Sequence, residues 1–286
     1  MLEPMARRVS SLLLLIPLLA AAVSSCSGPW RPQRPAWRTQ AENVCLAERR
    51  VQPSSYVQVA QEVDGPGICG LTRPFKVTAL QGGAVSFNAM ATLDCSMVAE
   101  LDQWLAEVVQ PAAQARFGAS VAQINSMGSY SCRGMNGQHG APLSEHSFGN
   151  ALDIGGFILA DGRVISVERD WTRGDYAARA FLMDVHSGSC QHFSTVLAPG
   201  SNPFHYNHIH VDLALHGRSG GRICKPTPHE IEGPAELIAK LATPAPATPA
   251  RQEEEDGDPG EAPPSAAFED AREPALGAYG VPRQRY

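Results

Sequence analysis

The chain has 286 residues, of which 43% are hydrophobic and 18% are charged, and its formal net charge is −6 at pH 7. This composition supports a sizeable core in one large domain or two small ones. An acidic chain lacks the basic surface that nucleic-acid binding requires, so we exclude nucleic acid as a main partner.

The N-terminus has the pattern of an export signal. Two arginines precede an apolar run from Leu12 to Val23, which is short for a membrane span. The run ends in Val23-Ser-Ser-Cys26, which resembles a bacterial lipobox, so we predict a signal peptide over residues 1–25 and lipidation of Cys26. An ordinary signal peptide cleaved nearby is the alternative. As a lipoprotein the chain is periplasmic and membrane-anchored, and Ser27 favours the outer membrane.

Six cysteines remain when the predicted lipidation site is set aside. An even set of cysteines in an exported protein predicts disulfide bonds, although sequence alone leaves their pairing open. The chain has no Cys-x-x-Cys pair, which argues against a cysteine zinc site. The disulfide candidates are Cys45, Cys69, Cys95, Cys132, Cys190 and Cys224.

The segment that follows the signal is proline-rich and polar. We interpret residues 26–43 as the lipid anchor and a Pro-rich tether to the domain. Two short apolar stretches, at Phe75–Leu80 and Ala84–Phe87, follow with Gly82-Gly83 between them. Two such stretches separated by glycines predict a hairpin.

The clearest predicted helix runs from Ser96 to about Phe117. Its apolar side chains recur at helical spacing, which predicts that Trp104 lies in the core. Asp94 or Ser96 is a suitable cap for the first turn, and Gly118 is a suitable stop. Pro111 is expected to bend or interrupt the helix, because it lacks a backbone N–H.

The second half of the domain predicts several strands and one further helix, over Tyr176–Val185. The strands are expected at residues 121–126, 150–159, 164–167, 192–197 and 208–213. This order predicts an α+β fold with a small antiparallel sheet and helices against one side. We place this domain at residues 44–226, followed by a short helical extension at 227–242 and a disordered Pro/Ala/Glu tail at 243–286.

Two polar motifs in this domain predict a mononuclear metal site. The first places His146 seven residues before Asp153, and the second is His205-Tyr-Asn-His208-Ile-His210. Catalytic zinc takes three protein ligands and keeps a fourth position for water. Strand alternation puts the last two histidines on one face, with Asp212 beside them. The alternative is a buried His–Asp pair that only ties a loop to a strand.

These motifs carry a resemblance to a known family. From Cys45 to Cys224 the chain resembles the bacterial extensin-like C-terminal domain family. The shared motifs include Ala91-Thr-Leu-Asp-Cys-Ser-Met, Tyr130-Ser-Cys-Arg, Ser144-Glu-His-Ser-Phe-Gly-Asn-Ala-Leu-Asp-Ile, Phe193-Ser-Thr-Val-Leu and His205-Tyr-Asn-His-Ile-His-Val-Asp-Leu. The His/Asp and His-x-His motifs are also similar to those of zinc peptidases that cut D-amino-acid bonds in peptidoglycan, such as D-alanyl-D-alanine carboxypeptidases and penicillin-insensitive murein endopeptidases.

The second resemblance implies a disulfide-stapled core of the D-alanyl-D-alanine peptidase and hedgehog type. It implies one Zn²⁺ ion held by His146, Asp153 and His210. Those peptidases often place a general-base glutamate three residues before the last histidine, where this chain has Asn207. His208 is therefore the first candidate for the base and His205 the second. Arg133 would hold a substrate carboxylate or the oxyanion, and a structural salt bridge is its equal alternative.

Two further polar residues are expected to support the ligands, because metal-bound histidines are usually oriented by a second group. Ser144 would orient the turn or bind behind a ligand, and Asp212 would fix the tautomer of a histidine. We interpret the remaining histidines as ordinary surface or capped residues, and we expect Glu145 to face solvent. These remaining histidines are His139, His186, His192, His216 and His229.

Two functions follow from the resemblance. The first is a zinc metallopeptidase, a hydrolase that acts as a carboxypeptidase or endopeptidase on peptidoglycan stem peptides or cross-links of the cell wall. The alternative is a non-catalytic cell-wall-binding lipoprotein that retains the metal-site fold. The histidine pattern favours the first function, and Asn207 in place of the glutamate favours the second.

Overall fold

A computed structural model describes residues 33–217 and 220–227 of the chain. The predicted signal peptide, the lipidation site Cys26, the disordered tail and all but the first residue of the helical extension lie outside these residues. Within the described part of the chain, no helix combines the length and the apolar character that crossing a membrane requires.

The domain is built on a nine-stranded sheet with a separate two-stranded ribbon. In chain order the strands are β1 (Val57–Val59), β2 (Val63–Asp64), β3 (Gly70–Leu71), β4 (Phe75–Leu80), β5 (Val85–Leu93), β6 (Val121–Gly128), β7 (Ala151–Leu159), β8 (Val164–Ser166), β9 (Thr195–Leu197), β10 (Ile209–Asp212) and β11 (Ile223–Lys225). The large sheet has the order β1-β4-β5-β6-β7-β10-β9-β11, with β8 paired to β7, and β2 pairs with β3. The predicted hairpin is confirmed as β4 and β5.

The sheet differs in size and direction from the small antiparallel sheet that we predicted. It is mixed, because β5 pairs with β6 in parallel and β9 pairs with β11 in parallel. A parallel pair needs a crossover, and the long helical segment between β5 and β6 supplies it. β8 and β9 lie within strands that the sequence predicted, whereas the short strands β1, β2, β3 and β11 were not predicted, because two or three residues show little alternation.

Five α-helices are present in the described residues: α1 (Ala36–Ala47), α2 (Cys95–Trp104), α3 (Gln110–Phe117), α4 (Val167–Arg173) and α5 (Tyr176–His192). A π-helical turn at Leu105–Val109 joins α2 to α3, so the predicted helix is confirmed as one interrupted run. Asp94 caps it by accepting the Met97 N–H at 2.7 Å, and Gly118 ends it with φ of 65°. The wider π turn ends at Val109, two residues before Pro111, which cannot donate a backbone hydrogen bond.

Helix α1 corrects the predicted tether at residues 26–43. The helix begins directly after Pro35, which is well suited to a helix start, and continues through residues with good helix propensity. Its Cys45 is bonded to Cys95, and its Arg38 forms two contacts of 2.6 Å with the Glu145 carboxylate. The described end of this segment is therefore part of the domain.

The helices cover one face of the sheet with an aromatic core. Trp104 is fully buried, as predicted, and packs against Phe157 and Phe193 with ring centroids 6.4 and 5.8 Å apart. Its indole N–H donates to the Ser189 hydroxyl at 3.0 Å, so its one polar atom is satisfied. Because one face of the sheet packs against this core, polar side chains of the central strands lie on the other face.

Three disulfides use all six predicted cysteines. They join Cys45 to Cys95, Cys69 to Cys132 and Cys190 to Cys224. The bonded cysteines are 50, 63 and 34 residues apart in sequence. Chain-entropy estimates give roughly 4 kcal/mol of stabilisation for each loop of this size. The second disulfide also fixes the backbone immediately before Arg133.

Candidate metal centre

A tight turn presents the first candidate ligand. Glu145–Phe148 forms a 3₁₀ turn, and the Ser144 hydroxyl accepts the His146 N–H at its start. Gly149 ends the turn with φ of 63°, and a Cβ atom there would lie 2.2 Å from the Leu71 side chain. Glycine is thus required on both conformational and steric grounds. The turn directs the 1%-exposed His146 inward, while the chain continues into β7.

The other two candidate ligands face each other across two strands. β7 and β10 are antiparallel, and their register pairs Asp153 directly with His210. Side chains at paired positions of an antiparallel sheet lie on the same face with Cβ atoms roughly 5 Å apart. Sheet register therefore brings together two residues that are distant in sequence.

Three donor atoms converge at this point. His146 Nε2 lies 3.1 Å from Asp153 Oδ1, His210 Nδ1 lies 2.8 Å from the same oxygen, and the two ring nitrogens are 3.2 Å apart. Tetrahedral zinc with bonds of about 2.0–2.1 Å separates its ligand atoms by roughly 3.3 Å. The donor types and spacings therefore fit a zinc ion with three protein ligands.

Hydrogen bonds behind the ligands select the ring nitrogens that face inward. His146 Nδ1–H donates to the Ser129 carbonyl at 2.6 Å, and His210 Nε2–H donates to Asp212 Oδ2 at 2.9 Å. The opposite nitrogens therefore point at Asp153. Asp212 lies where the sequence predicted, whereas the Ser129 contact uses a backbone group that no side-chain motif encodes.

Hydrogen bonds within the cluster favour the charged forms of Asp153 and His210. Burial alone would raise the pKa of Asp153, but hydrogen bonds from His146 and His210 outweigh it and hold that pKa well below its usual range. Burial would lower the pKa of His210, but hydrogen bonds to Asp153 and Asp212 outweigh it and raise the pKa to about 9. Without metal, a proton on His210 fills the place of the cation, and metal must displace it.

Metal-free protein is therefore expected to lose stability as the pH rises from about 6.5 to about 9. The folded-state pKa of His210 lies above its unfolded value, so folding binds a proton in this window. The resulting stabilisation is fully present below pH 6.5 and is lost as the pH rises through 9. Urea unfolding of chelator-treated protein would measure the trend, and His210→Gln should flatten it. An equal pH dependence in both proteins would contradict this assignment.

Two further histidines line the approach to the cluster. His208 Nδ1–H donates to Asn207 Oδ1 at 2.8 Å, which leaves Nε2 free and 3.5 Å from Asp153 Oδ1. His205 Nδ1–H donates to Asn202 Oδ1 at 2.7 Å. Burial lowers the pKa of His208, and burial with the neighbouring His210 lowers the pKa of His205 to about 4. Both rings are thus neutral near pH 7 and able to accept a proton.

The cluster forms the floor of an open cleft with a volume of about 560 Å³. Arg133 lies in this cleft, with Nη2 3.3 Å from Asp153 Oδ2 and its side chain 35% exposed. This position is compatible with both predicted alternatives, because the guanidinium pairs with the candidate ligand Asp153 and remains open to the cleft. Apolar side chains of Met135 and Phe204 line the cleft, and both are about half exposed.

Some predictions for individual residues were wrong. Glu145 is not turned to solvent, because Arg38 and the Asn150 amide bind its carboxylate. His216 is not an isolated surface residue, because it lies in the cleft. Contacts between distant segments contribute to both errors, because Arg38 is 107 residues from Glu145 in sequence and Thr195, the partner of His216, is 21 residues away.

The other described histidines lie away from the cleft. His139 is exposed in a loop, as predicted, and His192 pairs with Glu100 at 2.8 Å. His186 is fully buried near Cys190 and Cys224. Those two sulfurs are bonded to each other, so this second group of donor atoms is not a metal site in the oxidised protein.

The fold and the cleft describe a disulfide-bonded α+β domain with a candidate His/Asp/His metal centre. The profile of the family "extensin-like protein C-terminus" matches residues 43–225, and the chain belongs to this family. The matched region contains all three disulfides and every residue of the cluster. No curated protein and no solved structure matches the chain.

Proposed function

We propose that this protein is a zinc-dependent peptidase that hydrolyses amide bonds in peptidoglycan stem peptides or cross-links. The observation that carries the proposal is the convergence of His146 Nε2, Asp153 Oδ1 and His210 Nδ1 within 3.2 Å of one another on the floor of an open cleft. The sequence similarity to peptidases that cut D-amino-acid bonds supplies the substrate class.

The residues around the ligands suit this chemistry. Zinc, when bound, would lower the pKa of a water molecule and polarise the scissile carbonyl. His208 Nε2, neutral and facing the ligand Asp153, would take a proton from the attacking water and return it to the leaving amine. Arg133 would hold a substrate carboxylate or the developing oxyanion through its paired N–H groups.

Asn207 gains a role under this proposal. It occupies the position where the peptidases that its motifs resemble often carry a glutamate base, and its side-chain oxygen accepts a hydrogen bond from His208 Nδ1–H. That hydrogen bond selects the tautomer in which His208 Nε2 carries a free lone pair towards the cluster. The substitution is therefore compatible with catalysis in which the base has moved to the neighbouring residue.

We propose further that the chain is an exported lipoprotein with a signal peptide over residues 1–25 and a lipid anchor at Cys26. Such a protein would lie in the periplasm, attached to the outer membrane and close to the cell wall. The three disulfides support export, because such bonds form and persist in oxidising compartments.

A non-catalytic wall-binding protein is the second candidate, and the missing glutamate favours it. Digestion of purified sacculi followed by analysis of the released muropeptides separates the two. We expect new products that depend on zinc and disappear with a chelator. Binding to sacculi without any change in muropeptide composition, in protein loaded with zinc, would refute the peptidase and support the wall-binding protein.

A further inference from the structure

A hydrogen-bonded chain extends from the candidate metal centre to the cleft on the side of β9. Asp212, which accepts from His210 Nε2, lies directly opposite Thr195 in the β9–β10 register. Burial would raise the pKa of Asp212, but hydrogen bonding with His210 and with the facing Thr195 hydroxyl outweighs it and lowers that pKa. Thr195 Oγ1 lies 2.7 Å from His216 Nε2, and His216 lines the cleft.

The direction of each hydrogen bond follows from its partners. A carboxylate only accepts, so the Thr195 hydroxyl donates to Asp212. The same oxygen then accepts a hydrogen bond from His216 Nε2–H. The chain of donors thus runs from His216 through Thr195 to Asp212, which also receives the His210 N–H.

Burial makes these partners important for the position of Asp212. Asp212 and Thr195 are each 5% exposed, and a buried carboxylate needs hydrogen bonds to remain charged. Its other oxygen accepts the Ala214 N–H at 3.0 Å. His216 is held in place by a backbone bridge to Gly221, with Gly221 N–H donating to the His216 carbonyl at 3.0 Å.

We infer that Thr195 and His216 are positioning residues that fix the Asp212 carboxylate and, through it, the orientation of the ligand His210. This inference rests on the proposed zinc centre and extends it to two residues that neither polar motif contains. Groups behind metal-bound histidines typically change metal affinity about 10–100-fold when they are lost.

The test compares zinc affinities of purified full-length variants by competition with a chromophoric chelator. Thr195→Val keeps the shape of the side chain and removes the hydroxyl, and we expect it to weaken zinc binding about 10–100-fold. Thr195→Ser restores the hydroxyl and should restore most of the affinity, which a purely structural role for the methyl group would not explain. His216→Phe should weaken binding in the same direction.

His139→Ala is the matched control, because His139 is an exposed histidine outside the cleft. A second readout, the imidazole N–H signals of metal-free protein by NMR, should show faster solvent exchange of the His210 Nε2 proton in Thr195→Val. Equal zinc affinities of the unchanged protein and Thr195→Val would overturn the inference and leave the peptidase proposal intact. Zinc binding with no hydrolysis would overturn the peptidase alone, and absence of zinc binding in the unchanged protein would overturn both.

Discussion

Replacing Asp153 by alanine is expected to abolish zinc binding and, with it, any hydrolysis of peptidoglycan. Asp153 Oδ1 lies within 3.1 Å of both inward ring nitrogens, so its removal takes away a candidate ligand and the only negative charge among the three. The loss of affinity should exceed the roughly 10–100-fold effect of losing a supporting hydrogen bond. Metal analysis after dialysis and competition titration would measure it.

Two other variants complete this experiment. Asp153→Asn keeps the shape of the side chain and one acceptor oxygen but loses the negative charge, so it helps to separate the loss of a ligand from a loss of folding. Asp161→Ala, at an exposed turn carboxylate, is the control and should bind zinc normally. Stoichiometric zinc at unchanged affinity in both Asp153 variants would show that the ion, if bound, uses other residues.

Replacing His208 by alanine is expected to lower kcat about 10²–10⁴-fold while zinc remains bound. The His208 ring lies beside the cluster, with Nε2 3.5 Å from Asp153 Oδ1, but it is not among the donor atoms of His146, Asp153 and His210 that lie within 4.8 Å of one another. Muropeptide release over time, with metal content measured on the same sample, checks both halves of the expectation.

Variants of His208 and of the neighbouring His205 show which of the two histidines acts as the base. His208→Gln keeps a polar side chain and lacks a ring able to act as the base, so it should be as inactive as the alanine variant. If His208→Ala retained full activity and His205→Ala lost it, the base would be His205. His139→Ala should behave like the unchanged protein.

Sequence patterns predicted the three candidate ligands, because each ligand lies in a short motif that is continuous in sequence. The spacing of His146 and Asp153 and the alternation around His210 identify a turn and a strand, and the structure joins them through the β7–β10 register. The capped helix after Asp94 was equally predictable, because its apolar residues recur at helical spacing.

Features that depend on contacts between distant segments were not predictable in this way. The strand β9 has three residues, so nothing in its sequence indicates that Thr195 lies opposite Asp212. Helix α1 follows a proline-rich stretch, and its attachment to the domain rests on Cys45 and on the pairing of Arg38 with Glu145. Such contacts become visible only when the chain is folded.

The bond between Cys69 and Cys132 has a practical consequence for anyone who makes this protein. It anchors the residue just before Arg133, so material expressed in a reducing cytosol, or purified with dithiothreitol, would carry that guanidinium on a loosened segment. A lack of activity in such a preparation would reflect the reduced disulfide and would not test the proposed reaction. Secretion into an oxidising compartment, with free thiols counted before each assay, gives the fair comparison.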